Sequence, residues 1–371
     1  MNVYPCFFEL LSAALWSRQA DVSCFLDLDS QKWEKIVEYA NMQRVVALIT
    51  AGVETLPLEY RPPKAIYISL LLLTEKIKSA NHLINDRLVE ISQEYSSLGI
   101  SFVLLKGQGN SMYYPDALYR TPGDLDLFLY REKDYQIANE WVVKNSLICD
   151  KESDLHLGFD WRGVHIENHH HIFSFTKKKY NGSFQSWVSL VVESNSFESV
   201  HINGATIHVL PIELNIIYLF LHLFRHFIDS GVGLRQICDW VLLLSARHEE
   251  LEKESLIELA KYFGILDAMC VLSYTCIKYL GASPDIFPFL VKNDNRYSDM
   301  LMKDILQGGH FGFYKSHWGE DMGGWQGRWV RYCYLVKRSV IFGNMAPAYF
   351  YRLIFYRLWK RITLTLRGGD V

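Results

Sequence analysis

An α+β chain, with a small mixed sheet held between two helical regions, is the fold class this sequence predicts. Three observations predict it. Apolar positions recur with helical spacing up to about residue 97. From Gly99 onward, short β-branched and aromatic runs bounded by turn residues take over. After Pro211 the helical spacing returns and persists. The expected divisions are therefore a helical region over 1–97, a sheet-bearing domain over 98–211 and a helical domain over 212–371.

In the first region the periodic stretches are CFFELLSAALW (6–16), WEKIVEYANMQRVVALITAGV (33–53) and the long run from Lys64 to Tyr95. Pro57, Pro62 and Pro63 separate them, because proline lacks the amide donor that a helix interior needs. ISFVLLKG (100–107) reads as a buried strand ending in glycine, and a helix is expected over GQGNSMYY, stopped by Pro115. An acidic strand follows at 124–130, then a helix over 132–146. Further strands are expected at 147–153, 155–161 and 164–173, with a short helix near Ser183–Val192. The hairpin after it turns at Asn203-Gly204, a pair suited to positive φ at both positions. Helices are then expected over 211–228, 234–247, 256–263 and 265–280. A Gly- and Trp-rich segment (319–329) and a basic aromatic one, YFYRLIFYRLWKR (349–361), close the chain.

Composition narrows the function classes. Half of the 371 residues are apolar and 14% are aromatic, which excludes general disorder. A net charge of −3 provides no overall basic field for a dedicated nucleic-acid binder. Seven scattered cysteines without a C-x-x-C pair fit reduced thiols rather than a disulfide framework or a zinc ribbon. The N-terminal stretch lacks a basic n-region and carries Glu9 early, a poor signal peptide. The apolar runs at 66–73 and 216–224 are shorter than the roughly 20 residues of a membrane span. The expectation is a cytoplasmic protein with no transmembrane segment. The 349–361 segment could meet a membrane surface or a partner, or simply pack as an amphipathic helix.

The chemistry concentrates in RTPGDLDLFLY (120–130). Asp124 and Asp126 stand at i and i+2 of a strand, so their carboxylates share a face. Two like charges held so close repel unless a cation lies between them, and hard oxygen ligands suit Mg²⁺. Lys106 and Gly107 end the preceding strand, where a glycine lets a phosphate approach and a helix N-terminus favours negative charge. In VHIENHHHIF, alternation puts His165, Glu167 and His169 on one face. Glu167 can then supply a third carboxylate, as a site for two metal ions requires. A competing reading gathers His165, His169, His170 and His171 into a zinc cluster of a metal hydrolase. Adjacent strand histidines alternate sides, which argues against that set.

The ordered set V-L-L-K-G, Y-Y-P-D-x-x-x-R, G-D-L-D-L and I-E-N-H resembles the uncharacterised nucleotidyltransferase family of the polymerase-beta-like superfamily. The resemblance implies a palm fold and metal-dependent transfer of an NMP from an NTP to a hydroxyl-bearing acceptor, with release of pyrophosphate. It implies Asp124, Asp126 and Glu167 as catalytic metal ligands, for two Mg²⁺ ions or for Mn²⁺. Lys106 and Gly107 would form the triphosphate loop, with Arg120 a nearby positive group and His169 the motif histidine. His170 stands where the family pattern has tryptophan, and Glu167 where aspartate is common. In the following helices His222 and His226 share a face, as do Arg235 and Asp239. These pairs read either as an intrahelical ion pair with core histidines or as a layer over the nucleotide, with Arg235 contacting it. The acceptor (a sugar, a small molecule, a protein or RNA) is not readable. A non-catalytic nucleotide-binding scaffold with the same fold is the alternative function.

Overall fold

The structure, a computed structural model, describes residues 3–150, 156–289, 294–309, 324–347 and 355. Four helices open the chain: α1 (Tyr4–Leu15), α2 (Ser30–Met42), α3 (Val46–Glu54) and α4 (Lys64–Ser97). The periodic run 33–53 is thus two helices rather than one. They part at Arg44, which takes a left-handed φ of 58° that no α-helix can continue through. Asp29 caps α2 by accepting from the Lys32 amide.

The sheet is assembled from β1 (Val103–Leu105), β2 (Leu125–Phe128), β3 (His156–Trp161), β4 (Val164–His169), β5 (Glu198–Ile202) and β6 (Ala205–Val209), in the order β3-β4-β2-β1-β6-β5. β1 runs antiparallel to β2, whereas β2–β4 and β1–β6 are parallel. A mixed sheet with flanking helices is the polymerase-beta-like palm, and the α+β expectation holds. Between the strands lie α5 (Gln108–Ser111), α6 (Glu132–Lys144) and α7 (Lys178–Glu193). The helix after Lys106 is a single turn and not the two expected. α7 starts well before Ser183 and runs through Gly182, where a side chain would meet open space. The expected strand at 147–153 is reduced to an isolated bridge between Cys149 and Phe159, its last residues lying outside the described ones.

Helices return as α8 (Ile212–Asp229), α9 (Leu234–Arg247), α10 (Lys253–Tyr262), α11 (Leu266–Leu280), α12 (Asn295–Gly308) and α13 (Gly324–Phe342). α8 buries 13 of its 18 residues, and its partly buried His222, Arg225, His226 and Asp229 gather on one side at helical spacing. Phe7, Trp33 and Ile49 from the N-terminal helices share one continuous core with Phe220, Trp240 and Met269 from the later ones. No described helix is long and apolar enough to cross a membrane. The basic aromatic segment 349–361 lies outside the described residues apart from Phe355.

A second core decides which way the acids point. Leu88, Ile91 and Tyr95 of α4 and Ala138 and Val142 of α6 pack on Leu104, Leu125, Leu127 and Ile166. Asn168 joins that face by accepting from the Tyr95 hydroxyl at 2.9 Å. Each buried aliphatic side chain contributes on the order of 1.5–3 kcal/mol. Slipping β2 by one residue would turn Asp126 into this apolar core and its leucines out of it. The pattern therefore turns Asp126, Glu167 and His169 to the opposite face, toward α8.

Candidate active site

The parallel pairing of β2 with β4 sets Asp126 directly beside Glu167. Asp124 sits just before β2, two residues from Asp126. One carboxylate oxygen from each of the three lies within 4.8 Å of the others. Asp126 is only 1% exposed, Glu167 is half-buried and Asp124 is exposed. Three carboxylates this close repel one another, and charge has to be brought to them. Lys106 Nζ lies 3.0 Å from Asp126 Oδ1. His169 Nε2 lies 2.9 Å from the same oxygen and 3.0 Å from Glu167 Oε2.

The ionisation states follow from these contacts. Burial by itself would raise the Asp126 carboxyl, but Lys106 and His169 pull it far below the usual carboxylate range. Burial opposes the charge on His169, yet its bonds to Asp126 and Glu167 lift it to about 9. Lys106 likewise loses solvent, and Asp126, Asp124 and Glu167 more than offset that loss and hold its ammonium above its ordinary value. At neutral pH two cationic side chains thus stand against the acids.

Lys106 reaches this position from a strained backbone. Its φ is 41°, the left-handed region that costs a non-glycine residue roughly 1 kcal/mol. Gly107 follows with φ 53° and ψ −122°, a conformation open in practice only to glycine. α5 is too short for a helix dipole of any size, so the anion-binding capacity of this loop rests on the Lys106 ammonium and the exposed turn backbone. On the far side, His222 Nε2 of α8 lies 3.1 Å from Lys106 Nζ, and His226 Nε2 lies 3.3 Å from His222 Nε2. Burial, reinforced by Lys106, pushes both imidazoles down, His226 to about 3. A neutral His222 accepts from the lysine and fixes where its charge points.

Arg120 and Arg235 line the same cleft as Lys106, Gly107, Asp124 and Asp126. Asp239 accepts from Arg120 Nε and Nη2 at 2.8 Å each, and from the Tyr114 hydroxyl at 2.7 Å. Asp239 is thereby committed to Arg120, from a different part of the chain. Arg235 donates from Nη1 to the Thr121 and Pro122 carbonyls at 3.1 Å each. Both arginines therefore tie the loop bearing Asp124 to α9. Arg120 Nη1 is buried with no protein partner among the described residues. Burial and the neighbouring Arg120 lower Arg235 to about 10, the mark of crowded positive charge.

The sequence reading overlooked His156, which β3–β4 pairing sets beside His169 and which lies 3.6 Å from Glu167 Oε1. Alternation in LHLGFDW could have offered it, but not the register that brings it to this point. It overlooked Tyr114 as well. The competing histidine cluster does not assemble: His165 pairs with Asp160 at 2.8 Å, and His170 faces Glu132 and Tyr135.

A palm sheet presenting three clustered acids beside a lysine-bearing turn defines a nucleotidyltransferase-type site with the donors for a divalent metal. The chain belongs to the uncharacterised nucleotidyltransferase family, whose sequence profile matches residues 29–281. No curated protein matches it. A solved structure, an antigenic nucleotidyltransferase-like protein from Paracoccidioides brasiliensis, is similar at 13% identity over 56% of this chain and 94% of that one. Its TM-score of 0.29 is too low to bear on fold or function.

Proposed function

We propose that this protein is a divalent-metal-dependent nucleotidyltransferase that moves an NMP from an NTP to a hydroxyl-bearing acceptor and releases pyrophosphate. The observation that carries the reading is the convergence of Asp124, Asp126 and Glu167, with Lys106 Nζ 3.0 Å from the buried member. Three hard oxygen donors in reach of one another fit Mg²⁺ or Mn²⁺, and Asp124, Asp126 and Glu167 would hold the ions. A divalent ion bound there supplies charge neutralisation on phosphate oxygens and lowers the pKa of a hydroxyl beside it.

The chain's own groups do the remainder. Lys106 carries the positive charge that receives the triphosphate at the Gly107 turn, and His222 holds it in line. Arg120, held by Asp239, and Arg235 face the same cleft and add positive potential that favours an anionic substrate. His169 bridges Asp126 and Glu167 and sets their orientation. Catalysis of this kind is positioning and preorganised charge.

The test is incubation of the full chain with each labelled NTP, ATP included, and Mg²⁺ or Mn²⁺, reading pyrophosphate release and labelling of the protein or of a lysate component. Replacing both acids, Asp124→Ala with Asp126→Ala, should reduce turnover by about 10²–10⁴-fold or more while leaving the circular dichroism unchanged. Equal turnover by the pure double variant refutes the assignment. Nucleotide binding with no pyrophosphate from the wild type would favour a non-catalytic binding protein.

A further inference from the structure

The acids of the site belong to two overlapping donor sets. Asp124, Asp126 and Glu167 form one, made of oxygen alone. His156, Glu167 and His169 form the other, again with one donor atom from each within 4.8 Å of the others. We propose that this second set is a cation seat of its own, taking a transition-metal ion such as Mn²⁺ in preference to Mg²⁺, with Glu167 shared between the two.

A two-residue turn, Arg162 at φ 47° and Gly163 at φ 82°, joins the strands that build the set. Antiparallel pairing of β3 and β4 places His156 across from His169, and their rings stand 4.9 Å apart. Strand alternation turns Glu167, two residues earlier, to the same face. The two imidazoles then flank one carboxylate from opposite oxygens: His169 Nε2 is 3.0 Å from Oε2 and His156 Nε2 is 3.6 Å from Oε1. His169 Nε2 also lies 2.9 Å from Asp126 Oδ1, so an ion seated here displaces the His169 proton and takes the place of that contact.

Donor chemistry separates the seats. Mg²⁺ keeps its water and prefers oxygen ligands, so the all-carboxylate set suits it. Imidazole nitrogen suits Fe²⁺ and Zn²⁺ best, and Mn²⁺ takes it less tightly than these but more readily than Mg²⁺ does. Two imidazoles with one carboxylate is a set transition ions accept with positions left open. A shared carboxylate also brings two ions to the roughly 3.5–4 Å spacing that paired-metal phosphoryl-transfer sites use. The proposal rests on reading the three acids as a cation site, and it does not require turnover.

The test uses the full chain, Mn²⁺ alone and no nucleotide. Pulsed electron paramagnetic resonance should show ¹⁴N modulation from two equivalent imidazoles on bound Mn²⁺. Growing the protein with ¹⁵N-histidine should convert that modulation to the ¹⁵N pattern, and excess Mg²⁺ should leave it in place. His156→Asn should reduce the nitrogen modulation depth to that of a single imidazole and weaken Mn²⁺ binding more than about tenfold, whereas His165→Asn should change neither. Bound Mn²⁺ without nitrogen modulation overturns the proposal, as does modulation that Mg²⁺ removes or that His156→Asn leaves intact. The wild-type spectrum decides the matter even if the variant does not fold. Failure of the transferase reading appears separately, as absent pyrophosphate release.

Discussion

Replacing Asp239 by alanine should damage the protein more than removing any of the solvent-facing carboxylates. Asp239 and Arg120 are each only 4% exposed, and the carboxylate receives two guanidinium bonds and the Tyr114 hydroxyl. Without it the Arg120 charge stays buried and uncompensated, a situation that costs about 3–5 kcal/mol. At about 2.1 cal/mol/K of unfolding entropy per residue, 371 residues carry about 0.8 kcal/mol/K, so the melting temperature should fall by about 5 °C. The triple replacement Arg120→Met, Asp239→Leu and Tyr114→Phe removes the charge and both dependent groups together, and should recover at least half of that loss. Scanning calorimetry measures both. If Arg120 acts mainly as a phosphate ligand held by nothing else, Asp239→Ala should leave stability nearly untouched and tighten NTP binding. A melting temperature within about 1 °C of the wild type would refute the clamp.

Two further outcomes follow from the lysine and its histidines. Lys106→Met should lower pyrophosphate release by about 10²-fold with the fold retained, and should raise the pH at which the Asp126 carboxyl titrates, read by carboxyl NMR shifts. Acid should destabilise the metal-free protein through His226, which stays neutral in the fold down to about pH 3 but takes a proton in the unfolded chain near 6.5. The unfolded state therefore binds more protons between those values. Stability should fall as pH drops below about 6.5, by about 2 kcal/mol at pH 5, and His226→Asn should flatten that slope in urea titrations.

Much of the site was legible because strand chemistry is local. A period of two puts Asp124 with Asp126, and Glu167 with His169, whatever the sheet around them, and a glycine after Lys106 marks a turn. The run lengths were less legible. WEKIVEYANMQRVVALITAGV keeps helical spacing across Arg44, and only a left-handed φ at that residue separates α2 from α3. In GQGNSMYY only one turn forms, since Gly109, Asn110 and Ser111 are weak helix formers, and Tyr114 beyond it bonds Asp239 instead.

By itself, the amino-acid order determined an α+β chain, the strand that carries the aspartates and the face they occupy, since the alternation of acid and leucine is a property of the segment alone. Only the tertiary structure decided that β4 lies parallel beside β2 in the register joining Asp126 to Glu167, that His156 arrives across from His169, and that Asp239 answers Arg120. Those pairings join segments that local periodicity cannot connect. Their register is set by the leucines and isoleucine packed against α4 and α6, and that choice is made jointly by residues far apart in the chain.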